Sequence, residues 1–405
     1  MKTRAARVAL HGRHIGVLQE DGQGYIELRL DSTYHDSDGE RSVLGQWFED
    51  HPRGIQRGER TGDLPAFFAN VIPEGDLGLI LRDRLGVADG DDFGLLLAVG
   101  DDLPGAAVVT PLDDVGEEVQ RVAGRDVGSL HELRFSLAGV QLKFSMVRHG
   151  ERFLFPGRDR RGDWIAKIAL PPFYDLPRNE HVTMTWARRI GFQVPECELR
   201  ALGDLIDVPY EGDPHAEVFV VRRFDRELNT RIHQEDFQQI VGRPPKGKYD
   251  DITYEQLVLL AMNVVGEDAL AELVRRLVFV VASGNDDAHT KNWSVCYPDR
   301  IHARLTPLYD QVFTGQWPDY NKNLALKLGG TKSLGAIDLG RFRMLARRVG
   351  AAERVVERIV TETLEESVAA WQTLRAAPEV SPEYRGRLAA HWAKVPVLAS
   401  YAARI

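Results

Sequence analysis

Asp287 stands five positions ahead of Asn292 in the run Asp287-Ala288-His289-Thr290-Lys291-Asn292, and Asp310 follows within Leu308-Tyr309-Asp310. Phosphoryl transfer needs such a set of side chains. One carboxylate accepts the proton of an attacking hydroxyl, while an amide oxygen and a second carboxylate hold Mg²⁺ against the phosphates of ATP. Oxygen ligands suit Mg²⁺, which keeps its remaining positions for water and phosphate. The spacing by itself also fits a polar turn between two helices.

Other residues upstream extend the same chemistry. Lys167 lies in Trp164-Ile165-Ala166-Lys167-Ile168, an apolar strand-like run. An ammonium there costs desolvation unless an anion meets it. Two readings are open: an edge-strand lysine pointing to water, or a strand lysine that pairs the α- and β-phosphates of ATP. The second calls for a nearby helix with a carboxylate partner, and Glu180, thirteen positions on, opens the one helix expected there. A carboxylate at a helix start also simply complements the macrodipole. In Ser136-Leu137-Ala138-Gly139-Val140-Gln141-Leu142-Lys143 the small residues let backbone N–H groups approach a phosphate, and Lys143 adds charge. One glycine also fits an ordinary turn. Arg223-Phe224-Asp225-Arg226 offers either a backbone edge for adenine or a solvated cluster of ion pairs.

The elements that must position these residues can be read from periodicity. Residues 5–31 alternate apolar and polar, with glycines at 12, 16, 22 and 24, which predicts an antiparallel meander. Residues 61–110 read as a helical region that includes Phe67, Phe68, Val71 and Ile72, with Pro73-Glu74-Gly75 as its stop. Leu95–Val99 and Ala106–Val109 flank a turn, and 111–128 reads as a linker. Strands are expected at Leu142–Val147, Phe153–Pro156, Trp164–Ala169 and Glu217–Phe224, interrupted by a helix from Asn179 to Ile190 that Gly191 ends. Beyond 226 nearly everything reads as helix. Val356, Ile359, Val360, Leu364, Val368 and Trp371 keep to one face and belong to a core.

Bulk properties bound the answer. With 405 residues, 43% of them hydrophobic and 27% charged, the chain has the composition of a soluble, multi-domain globular protein. A net charge of −9 argues against general attraction to nucleic acid or anionic lipid. Cys197 and Cys296, the only cysteines, make no disulfide framework and give no zinc spacing. With no signal-peptide pattern at the N-terminus and no apolar run of spanning length, a cytoplasmic location without membrane association is expected.

The order of parts carries more than any single part: small-residue loop, strand lysine, helix glutamate, connecting segment, Asp-x₄-Asn, then Asp. That is the order in a protein-kinase fold. No His-Arg-Asp precedes Asp287, the Asp-Phe-Gly at 92–94 and the Ala-Pro-Glu at 377–379 lie far from the places those motifs take in a kinase, and Tyr309-Asp310-Gln311 stands in place of Asp-Phe-Gly. With these departures the chain resembles the HipA family, the serine/threonine-kinase toxins of bacterial toxin–antitoxin operons. The segments that carry the likeness are Phe67–Gly75, Ser136–Lys143, Arg223–Arg226, Gln234-Glu235-Asp236-Phe237, Lys248-Tyr249, Gly284–Asn292 and Leu305–Asp310.

The resemblance implies an α+β, two-lobed protein-kinase-like fold with an extra N-terminal β-rich subdomain and an all-helical C-terminal lobe. Its parts would be residues 1–128, a small lobe at 129–225 and a large lobe at 226–405. It implies Asp287 as proton acceptor and Asn292 with Asp310 as Mg²⁺ ligands. Ala138, Gly139, Val140, Gln141, Leu142 and Lys143 would form the phosphate loop, and Lys167, partnered by Glu180, would hold ATP. His289, Thr290, Lys291, Asn292 and Tyr309 would complete the nucleotide pocket, with the backbone of Arg222, Arg223 and Phe224 at adenine. Ser136 would be an autophosphorylation site whose added charge switches the kinase off. The family's loop commonly has a glutamate before its lysine, where Leu142 stands here, and an acidic residue can occur at the place of Arg222. The implied partners are a HipB-like helix-turn-helix antitoxin, through which the chain meets DNA as co-repressor, and a protein substrate such as an aminoacyl-tRNA synthetase, glutamyl-tRNA synthetase first. An alternative from another class is a nucleotide-binding, non-catalytic interaction protein of an antitoxin–operator complex. A small-molecule kinase is a third reading, disfavoured by the additional N-terminal domain.

Overall fold

The structure, a computed structural model, describes residues 4–35, 41–52, 54–112, 141–155, 162–208, 210–227, 230–317 and 323–405. Its contacts divide into two units: residues 1–174, 200–246 and 294–304 in one, and 175–199, 247–293 and 305–405 in the other. This grouping cuts across the sequential borders expected at 128 and 225.

In the first unit the expected meander is present. Strands β1 (Ala5–Leu10), β2 (Arg13–Glu20), β3 (Ile26–Leu30), β4 (Gln56–Arg57) and β5 (Ala107–Pro111) form a sheet in the order β4-β3-β2-β1-β5. His11 and Gly12 turn the first hairpin with φ of 49° and 80°, the mirror-image turn whose twist matches that of the strands. Alternation places Ala6, Val8, Leu10, Leu18, Ile26 and Leu28 in one core with Phe48, Phe67, Phe68 and Phe93. The helical stretch is broken more often than its composition suggests. Phe67 and Phe68 sit on the short helix Ala66–Ala69, and Gly75 begins the helix Gly75–Leu85 instead of ending one. Leu95–Val99 lies in the helix Asp92–Val99, capped by the Asp91 side chain.

A second sheet in this unit runs β10-β7-β6-β8-β11-β9, from β6 (Gln141–His149), β7 (Arg152–Leu154), β8 (Trp164–Ala169), β9 (Cys197–Ala201), β10 (Leu205–Ile206) and β11 (Glu217–Arg222). Directly after β11 comes a buried charge cluster. The Arg223 guanidinium donates to both Asp225 oxygens at 2.9 Å and to Asp102 Oδ1 at 3.1 Å, and Arg226 donates to Asp225 Oδ2 at 2.7 Å and Asp102 Oδ1 at 3.0 Å. Desolvation would raise the Asp225 carboxyl, but Arg223 and Arg226 overcome it and hold it below its ordinary value. The solvated ion-pair reading of this segment is therefore corrected: the pairs are buried, and removing one partner of such a pair costs about 3–5 kcal/mol.

The second unit is mainly helical. Helices Leu176–Arg189, Ala269–Ser283, Glu353–Leu374 and Pro382–Lys394 bury Trp186, Phe279, Trp371 and Trp392. Trp186 packs with its ring centroid 5.4 Å from Phe279 and 5.2 Å from Trp371. The face expected on the segment 353–371 is buried along its whole length. The expectation of an all-helical region after 226 is corrected by the strands Thr230–Arg231, His233–Asp236, Ser294–Tyr297, Arg304–Leu305, Asn323–Leu328 and Thr331–Ser333. Ser294–Tyr297 is buried at every position, so it shows no period-two signal, and several of the others are two or three residues long. Among the described residues no helix is long and apolar enough to cross a membrane.

Glu235 joins three segments of the first unit. Its Oε1 accepts from Tyr297 Oη at 2.5 Å and from the Gln46 backbone at 2.8 Å, while the buried Oε2 meets no partner. A Cβ at Gly45 would fall 2.8 Å from that oxygen, so only glycine allows the approach. Desolvation pushes the Glu235 carboxyl up to about 8 from 4.5. The native state therefore holds a proton that the unfolded chain releases above 4.5, and stability falls as pH rises from about 4.5 to about 8. Glu235→Gln should remove this slope and unfold at higher urea than wild type at pH 8. Parallel slopes for the two proteins in urea titrations between pH 5 and 8 would refute it.

Candidate active site

The second unit builds the Asp287 loop from the end of an apolar helix. In Ala269–Ser283 the run Leu277–Ser283 is entirely buried, and Gly284 stops it with φ of 64°, a conformation that glycine adopts without strain. The turn that follows is hydrogen-bonded throughout. Thr314 Oγ1 donates to Gly284 O at 2.8 Å and accepts from Asp286 N at 3.0 Å. Asn285 Oδ1 accepts from Asp287 N at 3.1 Å, and its amide nitrogen donates to Gln311 Oε1 at 3.2 Å. The Ala288 carbonyl accepts from Tyr254 Oη at 3.0 Å and Trp293 Nε1 at 3.2 Å.

This frame leaves 53% of the Asp287 side chain open to solvent. Its carboxyl is pushed up to about 6, first by desolvation, with the Asp310 and Asp286 carboxylates adding to the rise. A hydrogen bond from Tyr249 and the charge of Lys248 oppose it. Asn292 turns back on the loop: its Nδ2 donates to Asp287 O at 2.8 Å, which leaves Oδ1 as the atom fit to ligate a cation. Asp310 has φ of 55°, a left-handed conformation uncommon outside glycine and concentrated at functional positions. Among the described residues no group of three or more His, Cys, Asp or Glu is placed to hold a metal. One carboxylate and one amide oxygen do fit Mg²⁺, which draws its other ligands from phosphate and water.

Of the remaining expected residues in this unit, Tyr309 Oη donates to Lys291 O at 2.9 Å, tying the Asp310 segment to the loop. Thr290 is buried, and its N–H and hydroxyl are both committed to Lys248 O, at 3.2 and 3.1 Å. His289 is buried, with Nε2 4.0 Å from Asp287 Oδ1. Glu180 lies buried in the helix Leu176–Arg189 and belongs to this unit, not to the strand-rich one.

The first unit carries the rest. On β6 and β8, Lys143 and Lys167 are directly opposed in register, and Lys167 faces Phe219 of β11. Directly opposed residues share a face of the sheet, where like charges repel. Lys167 is only 5% exposed. An anion shared by the two would relieve that repulsion. Leu142 points to the other face and is part of the core, so only its backbone is available to a ligand. Arg222 is exposed at the end of β11, while the Arg223 N–H is committed to Asp163 O at 2.8 Å and its side chain to the buried cluster. Ser136, Ala138, Gly139 and Val140 lie outside the described residues.

Several residues that the sequence did not single out hold this arrangement. Thr314 and Asn285 anchor the Asp287 loop, as described. Asn179 donates to Phe313 O at 2.9 Å and Gln316 Oε1 at 2.6 Å and accepts from Phe313 N at 2.8 Å, fixing the segment just after Asp310. An asparagine inside a helix gives no pattern by which to find it. Tyr249 belongs to a pair already noted for its resemblance, yet without any role.

Comparison with known proteins shows the family of the chain. Residues 6–110 match the HipA N-terminal domain family, and residues 135–371 match the HipA-like C-terminal domain family. The chain is 34% identical to the putative kinase Y4dM of Sinorhizobium fredii, over 92% of each chain. It is 25% identical to the serine/threonine-protein kinase toxin HipA of Shewanella oneidensis, over 66% of this chain and 67% of that one. The solved complex of the Shewanella oneidensis toxin–antitoxin proteins HipA and HipB with operator DNA contains a chain of the same fold. That likeness has a TM-score of 0.75 at 21% identity and covers 98% of this chain and 97% of the other.

Asn179→Ala leaves two buried backbone groups of Phe313 without partners and should cost about 3 kcal/mol. Hydrogen exchange should show faster exchange at the Phe313 amide than in wild type. Unchanged protection at that amide would remove Asn179 from this role.

Proposed function

The chain belongs to the HipA-like family, and we propose that it is an ATP- and Mg²⁺-dependent serine/threonine protein kinase, the toxin of a toxin–antitoxin pair. The observation that carries this reading is the Asp287 loop. A carboxylate half open to solvent, an asparagine with its oxygen to spare and a second carboxylate on a left-handed backbone position are held in one unit by hydrogen bonds.

In the proposed reaction a substrate serine or threonine oxygen bonds to the γ-phosphorus as the bond to the β-phosphate oxygen breaks. ADP leaves, and the hydroxyl proton passes to Asp287. Asp310 and the Asn292 oxygen would hold Mg²⁺, which supplies charge neutralisation along the phosphates when bound. Lys167 and Lys143 would take the remaining phosphate charge, and Glu180 would be the carboxylate partner of Lys167. Gln141 and Leu142 would contribute backbone to the phosphate loop. His289, Lys291, Tyr309 and the Arg222–Phe224 backbone would line the nucleotide site. The core position of Leu142 and the commitments of Thr290 and of the Arg223 N–H confine their parts to backbone contact or to support of neighbours.

Of the finer parts of the proposal, the antitoxin partner has support from a relative. The solved relative assembles with HipB and operator DNA, which supports a helix-turn-helix antitoxin as partner here and contact with DNA mainly through it. The substrate class proposed is an aminoacyl-tRNA synthetase in the cytoplasm, glutamyl-tRNA synthetase first, arrested by a phosphate placed where it must bind ATP. Ser136 is proposed as the site of self-phosphorylation.

Asp287→Ala should abolish transfer of radiolabelled γ-phosphate by purified protein, with the thermal unfolding midpoint little changed. Equal labelling by wild type and variant would defeat the assignment. Ser136→Ala should abolish self-labelling while sparing transfer to substrate, and mass spectrometry finding the phosphate on another residue would count against it.

A further inference from the structure

Among the described residues, the hydrogen bond to the Asp287 carboxylate comes from Tyr249, whose Oη donates to Oδ1 at 2.6 Å. A serine or threonine hydroxyl about to be phosphorylated must make that same contact with a proton-accepting carboxylate. The tyrosine belongs to neither the Asp287 loop nor the Asp310 segment. It sits on the turn after Gly247, where Asp250 N and Asp251 N donate to Gly247 O at 2.9 and 3.0 Å.

The backbone of this turn is pinned. Lys332 Nζ donates to Tyr249 O at 3.0 Å and Asp250 Oδ1 at 2.9 Å, and Thr290 holds the Lys248 carbonyl. The side chain reaches the surface. The ring is 37% exposed, meets His289 edge-on with centroids 5.1 Å apart, and lies 5.6 Å from the Lys248 ammonium. A pinned backbone with a half-exposed ring allows the phenol to rotate off Asp287 while its loop stays in place.

We propose that Tyr249 is a built-in stand-in for the acceptor hydroxyl: it occupies Asp287 when no substrate is bound, keeps water from that seat, and swings away when a serine or threonine enters. The inference rests on the kinase reading and adds to it a gate against wasteful ATP hydrolysis. The released ring remains beside the entering residue, so the acceptor segment meets an aromatic surface there.

The test compares the full-length wild type with Tyr249→Phe, which keeps the ring and removes the hydroxyl. Hydrolysis of MgATP without a protein acceptor should rise on the order of tenfold, the occupancy that a hydrogen bond to a charged group commands. With a serine- and threonine-containing peptide library as acceptor, KM should fall. Carbon-13 NMR of Cζ-labelled tyrosine, assigned by the signal lost in Tyr249→Phe, should show that signal moving in Asp287→Asn. A lower kcat with KM unmoved would mean that the hydroxyl assists Asp287 instead of occupying it, and would overturn the inference. Unchanged hydrolysis, or a Tyr249 signal indifferent to Asp287→Asn, would overturn it too. A wild type that transfers phosphate to neither water nor peptide would instead sink the kinase reading on which it stands.

Discussion

A helix buried on every side passes its rigidity to the residues that follow it. In Ala269–Ser283 the last turns are buried throughout, so the helix cannot rotate without opening the core that contains Phe279. Gly284 then reverses the chain at a fixed point, and Thr314 bonds both the carbonyl of Gly284 and the N–H of Asp286. Asp287 is thus located to within the slack of a few short hydrogen bonds, as the role proposed for it requires, since catalysis tolerates little misplacement. The Asp310 segment gains its position in a similar way, from Asn179 through Phe313 and from Tyr309 through Lys291.

The first unit solves a different problem. Its two larger β-sheets are connected by the cluster of Asp102, Arg223, Asp225 and Arg226, with Gly105 N donating to Asp225 Oδ2 at 2.8 Å and Arg226 donating to Gly105 O at 3.0 Å. Two arginines against two aspartates balance in charge, and the carbonyls of Leu103 and Gly105 take further guanidinium protons. A well-packed apolar patch of the same volume would stabilise as much or more. What the polar cluster adds is direction: its forks and carboxylates fit in one arrangement, so the turn carrying Asp102 meets the end of β11 in one register.

Much of this was legible in the sequence, and the reasons differ by element. The meander announced itself because one face of its sheet is core and alternation follows from that. The long helix Glu353–Leu374 announced itself because its apolar stripe keeps to steps of three and four. The strand Ser294–Tyr297 did not, since burial on both faces erases the period. Asn323–Leu328 does alternate, with Leu324, Leu326 and Leu328 buried and Asn323 and Lys327 exposed, and was passed over among its helical neighbours. Asp287, Asn292 and Asp310 were singled out from residue type and spacing, as oxygen-bearing side chains in a recognisable order, and the fold sets all three in one unit. The residues that steady them were not. Asn179 lies 134 positions from Phe313 and Thr314 lies 28 from Asp286, and a lone asparagine or threonine has no local signature for such a contact. The charge cluster after β11 shows the converse: its composition suggested surface ion pairs, and only the fold reveals that Asp102 comes to meet it.

Like charges brought together are what folding alone explains least. The first unit sets Lys143 opposite Lys167 across two strands, and the second lets Asp310 raise the titration of Asp287. Charges of one sign repel, and a nearby carboxylate resists ionisation. A chain selected for stability alone has cheaper residues for both places. An ammonium pair is relieved by a polyanion, and a carboxylate pair by a divalent cation or by a proton arriving from a hydroxyl. Each unit thus carries, by its own fold, a set of like charges whose chemistry matches the role proposed for it, the lysines toward a polyanion and the carboxylates toward a cation or a hydroxyl proton.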